Sequence, residues 1–281
     1  MHFVLIIPLY HNAKSLDSIY QPFEKIFSKI ILFDNTPNKK TPHESQDYSI
    51  SSNVLYIRRN KNIGLASAFN YCVQNYGHSD SDIYMLLDQD TKVKSSSLVE
   101  SYLLSNLDLV KHNNIVGIIG TKPWQKTLAS DDQFGRKVSW VINSGMLFSK
   151  KVWQSIGGFD ESFFVDDVDH EFCLRASSFG ISTILVNNNA FIHEIGRPKY
   201  HAFFNKKIKI SRHPLWRRYY WARNRTILFL RHRNLPALYL FLTIFRELLV
   251  YLVFEQRKFG SIAATARGLV AAITAKKRKE Y

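Results

Sequence analysis

Only two cysteines, Cys72 and Cys173, occur in 281 residues, and they form neither a CxxC pair nor a metal-ligand spacing. That excludes a disulfide framework and a cysteine-built zinc site. Each falls in an apolar helical pattern, as a small buried hydrophobe in a reducing compartment does. Neither GxGxxG nor GxxxxGKS/T is present, so the fingerprints of a dinucleotide fold and of a P-loop are both missing. Uncharged apolar runs of membrane-spanning length are lacking too: the longest apolar stretch, Leu235 to Phe254, has Arg246 and Glu247 at its middle. Such charges cost a few kcal/mol each, about 2.5–3.5 on insertion scales, so this stretch is expected to lie along a membrane interface rather than to span it. The opening Phe3-Val4-Leu5-Ile6-Ile7 is too short for a signal-peptide core, has no basic residue before it and reads as a first strand. No internal repeat or low-complexity segment occurs.

What is present suits a folded core: 46% apolar and 14% aromatic residues, with only 22% charged. The length accommodates one catalytic domain and an appendage, here divided as residues 1–210 and 211–281. The formal net charge of +15 points to nucleic acid, an anionic membrane surface or small phosphorylated substrates as partners. Much of it lies late, in Lys206-Lys207-Ile208-Lys209, Arg217-Arg218, Arg231-His232-Arg233 and Lys276-Lys277-Arg278-Lys279.

The first half alternates apolar runs with amphipathic stretches. Strands are expected at Phe3 to Leu9, Ile30 to Phe33, Val54 to Ile57, Ile83 to Leu87 and Ile115 to Ile119, with helices at Ile63 to Tyr76 and Ser95 to Val110. Later strands are expected at Val138 to Ile142, through Phe148, at Ser182 to Val186 and at Ala190 to His193, with an acidic helix at Asp166 to Phe179. From Arg212 onward the pattern is helical, with Pro236 in a first turn and Gly260 at a break. This alternation predicts an α/β fold with a mostly parallel sheet, whose ligands bind outside the carboxyl ends of the strands. Pro8-Leu9-Tyr10, Asp34-Asn35-Thr36, Asn60 to Asn62 and Asp88-Gln89-Asp90 all fall at such ends.

Three constellations bear chemistry. In Leu87-Asp88-Gln89-Asp90-Thr91 two carboxylates one residue apart end an apolar strand. Mg²⁺ or Mn²⁺ takes one or two such carboxylates and fills its shell with substrate phosphate oxygens, although Asp and Thr are also ordinary turn residues. Gly157-Gly158-Phe159-Asp160-Glu161 leads to Asp166-Asp167-Val168-Asp169-His170-Glu171, a cluster in which mutual repulsion suits one carboxylate to general-base work. Glu171 is expected to pair with Arg175 one helical turn on, leaving Asp169 as the base candidate. In Phe191-Ile192-His193, the histidine ends a strand, where imidazole can join carboxylates on Mn²⁺. In addition, Arg58-Arg59 and Asn60 to Gly64 open a helix whose free amides suit phosphate oxygens.

Taken in order, these segments resemble the family 2 glycosyltransferases, and among them the bacterial rhamnosyltransferase-like branch, over residues 3–230. The resemblance rests on Ile7-Pro8, Phe33-Asp34-Asn35-Thr36, Asn62-Ile63-Gly64-Leu65-Ala66 with Asn70, Leu87-Asp88-Gln89-Asp90-Thr91, and Asn143-Ser144-Gly145. It continues through Gly157-Gly158-Phe159-Asp160-Glu161, Asp166 to Arg175, His193, Tyr219-Tyr220 and Arg223-Asn224-Arg225. It implies a GT-A fold, a Rossmann-like nucleotide-binding mixed sheet, and inverting sugar transfer from a nucleotide diphosphate. Asp34 would face the base, Asp88 the ribose or the metal shell, and Asp90 would bind Mg²⁺ or Mn²⁺ directly, with His193 approaching the metal or diphosphate. Pro8, Tyr10, Asn35, Arg59, Asn62, Gly64, Asn70, Gln89 and Arg225 complete the expected nucleotide-sugar site. Ser144, Gly145 and Trp140 would lie near acceptor or sugar, Trp140 being equally suited to a core. The family's ED pair places the base at Asp169, but Val168 stands where the Glu is expected, so Asp167 or Asp166 can share the role.

Resemblance favours dTDP-rhamnose as donor, ahead of UDP-linked glucose, galactose or galactofuranose. The basic, apolar tail suits a lipid-linked glycan acceptor at the cytoplasmic face of a bacterial inner membrane, as in O-antigen or capsule synthesis; a homodimer interface would pack the same residues. Nucleic acid is the competing partner, since Trp216-Arg217-Arg218-Tyr219-Tyr220-Trp221 interleaves bases and aromatics. That reading leaves the acidic clusters unused, and no nucleic-acid partner is expected. A metal-dependent nucleotidyltransferase would use the carboxylates but release pyrophosphate.

Overall fold

Aliphatic runs become strands and the amphipathic stretches between them become helices. The computed structural model describes residues 2–12, 14–37, 46–77, 79–118, 135–187, 190–192, 198–203, 206–211, 213–232, 237–255 and 257–278. In chain order they form β1 (Phe3–Leu9), α1 (Leu16–Tyr20) with a 3-10 turn (Gln21–Phe23), β2 (Lys29–Asp34), β3 (Gln46–Ser49), β4 (Val54–Arg58) and α2 (Leu65–Tyr76). Next come β5 (Ile83–Leu86), β6 (Lys92–Val93), α3 (Ser96–Ser105), α4 (Leu107–Lys111), β7 (Ile115–Gly117), β8 (Arg136–Val138), β9 (Met146–Ser149), α5 (Lys150–Ser155) and α6 (Val168–Ser178). The remainder is β10 (Thr183–Leu185), β11 (Phe191–Ile192), β12 (Pro198–Phe203), β13 (Lys206–Ser211), α7 (Leu215–Arg231), α8 (Ala237–Phe254) and α9 (Lys258–Arg278).

The chain divides into two units. One comprises Met1–Ser162 and Val168–Glu194, the other Phe163–Asp167 and Ile195–Tyr281. The first is built on a mixed sheet ordered β3-β4-β2-β1-β5-β9-β7-β10-β8. Strands β1, β2, β4, β5, β7 and β10 run one way, and β3, β8 and β9 run against them. Val4 to Ile7 are wholly buried, as are Ile30 to Phe33 on the neighbouring strand, which is why both read as continuous apolar runs. After β1 the chain winds to β2 and β4 on one side and then to β5 on the other, so the carboxyl ends of β1 and β5 flank a topological switch point.

Several local expectations change. The helix foreseen from Ser95 to Val110 is two helices, because the Asn106 side chain donates to the Tyr102 carbonyl at 2.7 Å where they part. Ser95 does cap the first, accepting from the Leu98 amide. Instead of a strand from Val138 to Ile142, β8 stops at Val138 and the chain leaves it, with the Ile142 amide donating to Ile118 O at 3.0 Å. The acidic helix starts at Val168, not Asp166, because Asp166 and Asp167 both take φ 59°, the left-handed region. β3, α1, α5 and the β12–β13 hairpin were not foreseen. Pro236 lies outside the described residues.

One clasp in the first unit joins α2 to the Gly157-Gly158 turn. Asn70 Oδ1 accepts from the Phe159 amide at 2.8 Å and Trp153 Nε1 at 3.0 Å, and its amide donates to Phe159 O at 2.9 Å and Glu161 at 3.0 Å. Gly158, at φ 75°, must lack a side chain, since a Cβ would meet Asn70 Oδ1 at 2.8 Å. Glu171 and Arg175 pair as expected, at 2.8 Å, and Arg175 also donates to Gly158 O at 2.6 Å.

In the second unit, α9 lies close on α7: a Cβ at Gly268 would collide with the Tyr219 carbonyl and the Arg223 amide. Gly260 falls in the first turn of α9 rather than at a break, and α8 ends at Phe254. Arg218, only 4% exposed, pairs with Glu255 and stacks 4.1 Å above the Tyr251 ring.

Two outcomes follow from this packing. Both cysteines are fully buried, and burial pushes their thiols up, Cys173 to about 12. A thiol reagent should leave both unlabelled in the native protein and label both in denaturant. Asn70→Ala should lower stability by about 1–3 kcal/mol, read as a drop in the midpoint of denaturant unfolding, because it leaves several partners unsatisfied.

Candidate active site

The loop after β5 carries Asp88, Gln89 and Asp90, and β9 pairs antiparallel with β5, Met146 opposite Leu86. That register brings Asn143-Ser144-Gly145, which precede β9, to the same edge. Gly145 N donates to Leu86 O at 2.8 Å, and Tyr102 OH caps the Gly145 carbonyl at 2.7 Å. Ser144 is wholly buried. Its hydroxyl donates to Asp88 Oδ2 at 2.8 Å, accepts from the Asp88 amide at 3.3 Å and shares a 2.8 Å bond with the Thr91 hydroxyl. Gln89 faces the other way: it accepts from Tyr10 N at 2.9 Å and donates to Tyr10 O at 3.0 Å, stitching the β5 loop to the end of β1. Lys14 Nζ donates to Gln89 O at 3.2 Å. Asp90 is exposed, while Asp88 is half-buried. A cleft of about 250 Å³ opens here, lined by Ile7, Lys14, Leu87, Asp88, Gln89 and Thr91 among others.

Across β1, the ends of three strands are in register, Leu9 opposite Asp34 and Asp34 opposite Arg58. Pro8 is buried within β1, one residue from its end. Asp34, 8% exposed, accepts from Thr36 N at 2.8 Å and from Tyr56 OH at 2.6 Å. Burial, and then that bond to Asp34, push the Tyr56 phenol well above its ordinary value. Asn35 ties this edge to the start of α2, donating to Gly64 O at 3.1 Å and accepting from Ile63 N at 3.2 Å. Asn62 in turn accepts from Gly64 N at 2.9 Å. Arg59 points to a different task. Asp47 grips its guanidinium at 2.9 and 3.1 Å, and the plane lies 4.5 Å from the Tyr71 ring. Asn70 is likewise engaged in the clasp on Phe159.

Asp169, in the first turn of α6, accepts from Asn143 N at 3.2 Å through one oxygen and from His170 N at 2.9 Å through the other. Trp140, half-buried, lies with its ring 3.9 Å from that of His170. The dipeptide Asn143-Ser144 therefore touches Asp169 with its first residue and Asp88 with its second.

Within the second unit, Asp166 is held by Arg217 at 2.7 and 3.1 Å, and Asp167 by Arg225 at 2.6 and 3.0 Å. Asn224 donates to Val165 O and Asp166 O, holding the left-handed turn. Arg225 is thus committed to Asp167. His193 lies outside the described residues; β11 ends at Ile192, paired with Lys92 two residues past Asp90.

Among the described residues, no three His, Cys, Asp or Glu side chains gather as a complete metal cage. The donor set present still fits a hard divalent ion: two carboxylates one residue apart, one of them oriented by a buried hydroxyl, with phosphate oxygens to complete the shell. Ser144's grip on Asp88 and the Tyr10–Gln89 stitch were not apparent in the sequence, since each joins residues more than fifty positions apart. The strand-end position of both partners was the available signal.

Comparison with known proteins bears on this site. Residues 4–163 match Glycosyl transferase family 2, and residues 85–275 match Glycosyl transferase family group 2. The dTDP-rhamnosyl transferase RfbF of Shigella flexneri is 24% identical over 254 residues, covering 84% of this chain and 82% of that protein. Similar solved structures include S. aureus TarS 1–349 in complex with UDP-GlcNAc, at 12% identity and a TM-score of 0.48, covering 98% of this chain and 73% of that one. GalNAc-T7 with UDP, GalNAc and Mn²⁺ is 10% identical with a TM-score of 0.48, over 66% of this chain and only 42% of that one. Since each family match runs through more than half of the chain, the chain belongs to glycosyl transferase family 2, and it is a glycosyltransferase.

Proposed function

We propose that this protein is an inverting, metal-dependent transferase that moves L-rhamnose from dTDP-rhamnose to a hydroxyl of a lipid-linked glycan. It would work peripherally at the cytoplasmic face of a bacterial inner membrane, in the synthesis of a surface polysaccharide such as O-antigen or capsule. The observation that carries this reading is the link from Asp88 through Ser144 and Asn143 to Asp169. On this reading, a carboxylate suited to a diphosphate-bound ion and one suited to proton removal are each anchored by one of two consecutive residues. The similarity to a dTDP-rhamnosyl transferase supports the donor.

Asp88 and Asp90 would hold Mg²⁺ or Mn²⁺, which stabilises charge on the departing diphosphate when bound. Asp34 and Asn35, at the adjoining strand end, serve the nucleoside side. Asp169 acts as base: it takes the proton from the acceptor hydroxyl as that oxygen bonds to the anomeric carbon. The bond from that carbon to the diphosphate oxygen breaks, and its electron pair leaves with the nucleotide. Two amide donors, one on each carboxylate oxygen of Asp169, fix its direction. Asp166 and Asp167 suit the role less well, because an arginine already occupies each carboxylate where the acceptor hydroxyl would have to approach. Trp140, against His170, offers a ring face to the sugar or acceptor.

A donor screen by released nucleotide tests the reading, using dTDP-rhamnose, UDP-glucose, UDP-galactose and UDP-galactofuranose with and without Mg²⁺ or Mn²⁺. Release is expected from dTDP-rhamnose with metal, lost in Asp90→Ala. Asp169→Asn should still bind donor while transfer falls by about 10²–10⁴-fold. Absence of metal-dependent release from every donor would overturn the proposal. Ser144→Ala should weaken metal activation by about 10–100-fold and recover in part as the metal concentration rises, measured as the metal dependence of kcat.

A further inference from the structure

α8 spans Ala237–Phe254, and one of its faces is apolar and open. Leu238, Phe241, Leu242, Phe245, Leu249, Leu252 and Val253 are 45–67% exposed and recur at steps of three and four, which places them on a single stripe. The opposite side is occupied: Tyr251 is 3% exposed beneath the Arg218 guanidinium. Phe259, at the start of α9, is 88% exposed and adds to the apolar surface. At about 1.5 Å per residue, the stripe runs the length of an 18-residue helix, far more than isolated surface hydrophobics.

Charge identifies the occupant. Residues 211–281 hold fifteen Lys and Arg against three Glu. A second copy of the chain would bring the same positive excess to the contact, whereas an anionic bilayer surface is complementary to it. Arg246, at the border of the stripe, and Arg257 and Lys258, just after it, are exposed. Among the described residues no helix is long and apolar enough to cross a membrane. A helix with a wide apolar face, basic borders and too little overall hydrophobicity to span lies in the interface plane.

We infer that the Leu238–Val253 stripe, with Phe259, beds into the headgroup–acyl boundary of an anionic bilayer, with the helix axis along the surface and Arg246, Arg257 and Lys258 at the phosphates. This deepens the membrane-side reading above by naming the surface that makes the contact; the stripe and the charge do not depend on the identity of the donor. Its effect is to hold the enzyme where a lipid-linked acceptor is anchored.

The test is co-flotation of the full chain with vesicles of phosphatidylcholine alone or mixed with phosphatidylglycerol, at low and high salt. The parent should float with the anionic vesicles and less so in high salt. Phe245→Glu/Leu249→Glu should bind about tenfold more weakly or worse, and Phe179→Glu, a comparably exposed residue in the other unit, should bind as the parent does. Circular dichroism and the unfolding midpoint verify that the double variant is folded, and its release of nucleotide from the donor in solution should be unchanged. Unaltered flotation of the folded double variant, failure of the parent to bind anionic vesicles at low salt, or a parent dimer that the double variant splits would each overturn the inference. Vesicle binding without any donor turnover would instead strike the catalytic proposal alone.

Discussion

A hydroxyl with no solvent exposure governs the sheet edge that carries the candidate site. Ser144 bonds to both the carboxylate and the amide of Asp88, and its neighbour Asn143 lends a backbone amide to Asp169. This depends on β9 running antiparallel between β5 and β7, because only that direction starts β9 at the carboxyl end of β5. Gly145 then completes the turn at φ 88°, its amide on Leu86 and its carbonyl on Tyr102. Two acids far apart in sequence, at the end of a strand and the start of a helix, are thereby positioned by one short segment. In the roles proposed for them, a pair preorganised in this way would need little rearrangement as charge develops.

The acidic cluster at the start of α6 separates into two kinds of carboxylate. Asp166 and Asp167 sit in left-handed backbone that L-residues seldom adopt, and the arginines of α7, with Asn224, hold them there. Local strain of about 1–3 kcal/mol per residue is the usual scale, and charge-assisted bonds offset it. Among the described residues, the hydrogen-bond donors to Asp169 are backbone amides. These three neighbouring aspartates thus divide by partner rather than by position in the chain.

Much of this was legible in the sequence for simple reasons. Continuous burial made β1, β2 and β5 readable as unbroken apolar runs, and the polar residues at their ends stood out because they interrupt those runs. Glu171 and Arg175 were readable because a helix brings residues four apart together. Arg59 and Asn70 were not: each looked like a ligand contact, and each is engaged by a partner set by tertiary structure, Asp47 in one case and Phe159 in the other. The break at Asn106 and the left-handed Asp166-Asp167 depend on side-chain bonds, which periodicity does not register.

The stitch between Gln89 and Tyr10 separates the demands on its two ends. Gln89 uses its side chain, so its amide is tied to the fold, whereas Tyr10 contributes only its main chain to the two bonds. The ring of Tyr10, 37% exposed, is released from any part in that joint. Substitution at position 10 can therefore vary without loosening the loop that carries Asp88 and Asp90, while position 89 has almost no such latitude. Evolution or a protein engineer can thus fit the side chain at position 10 to other needs without asking anything of the joint, whereas position 89 is answerable to the joint first.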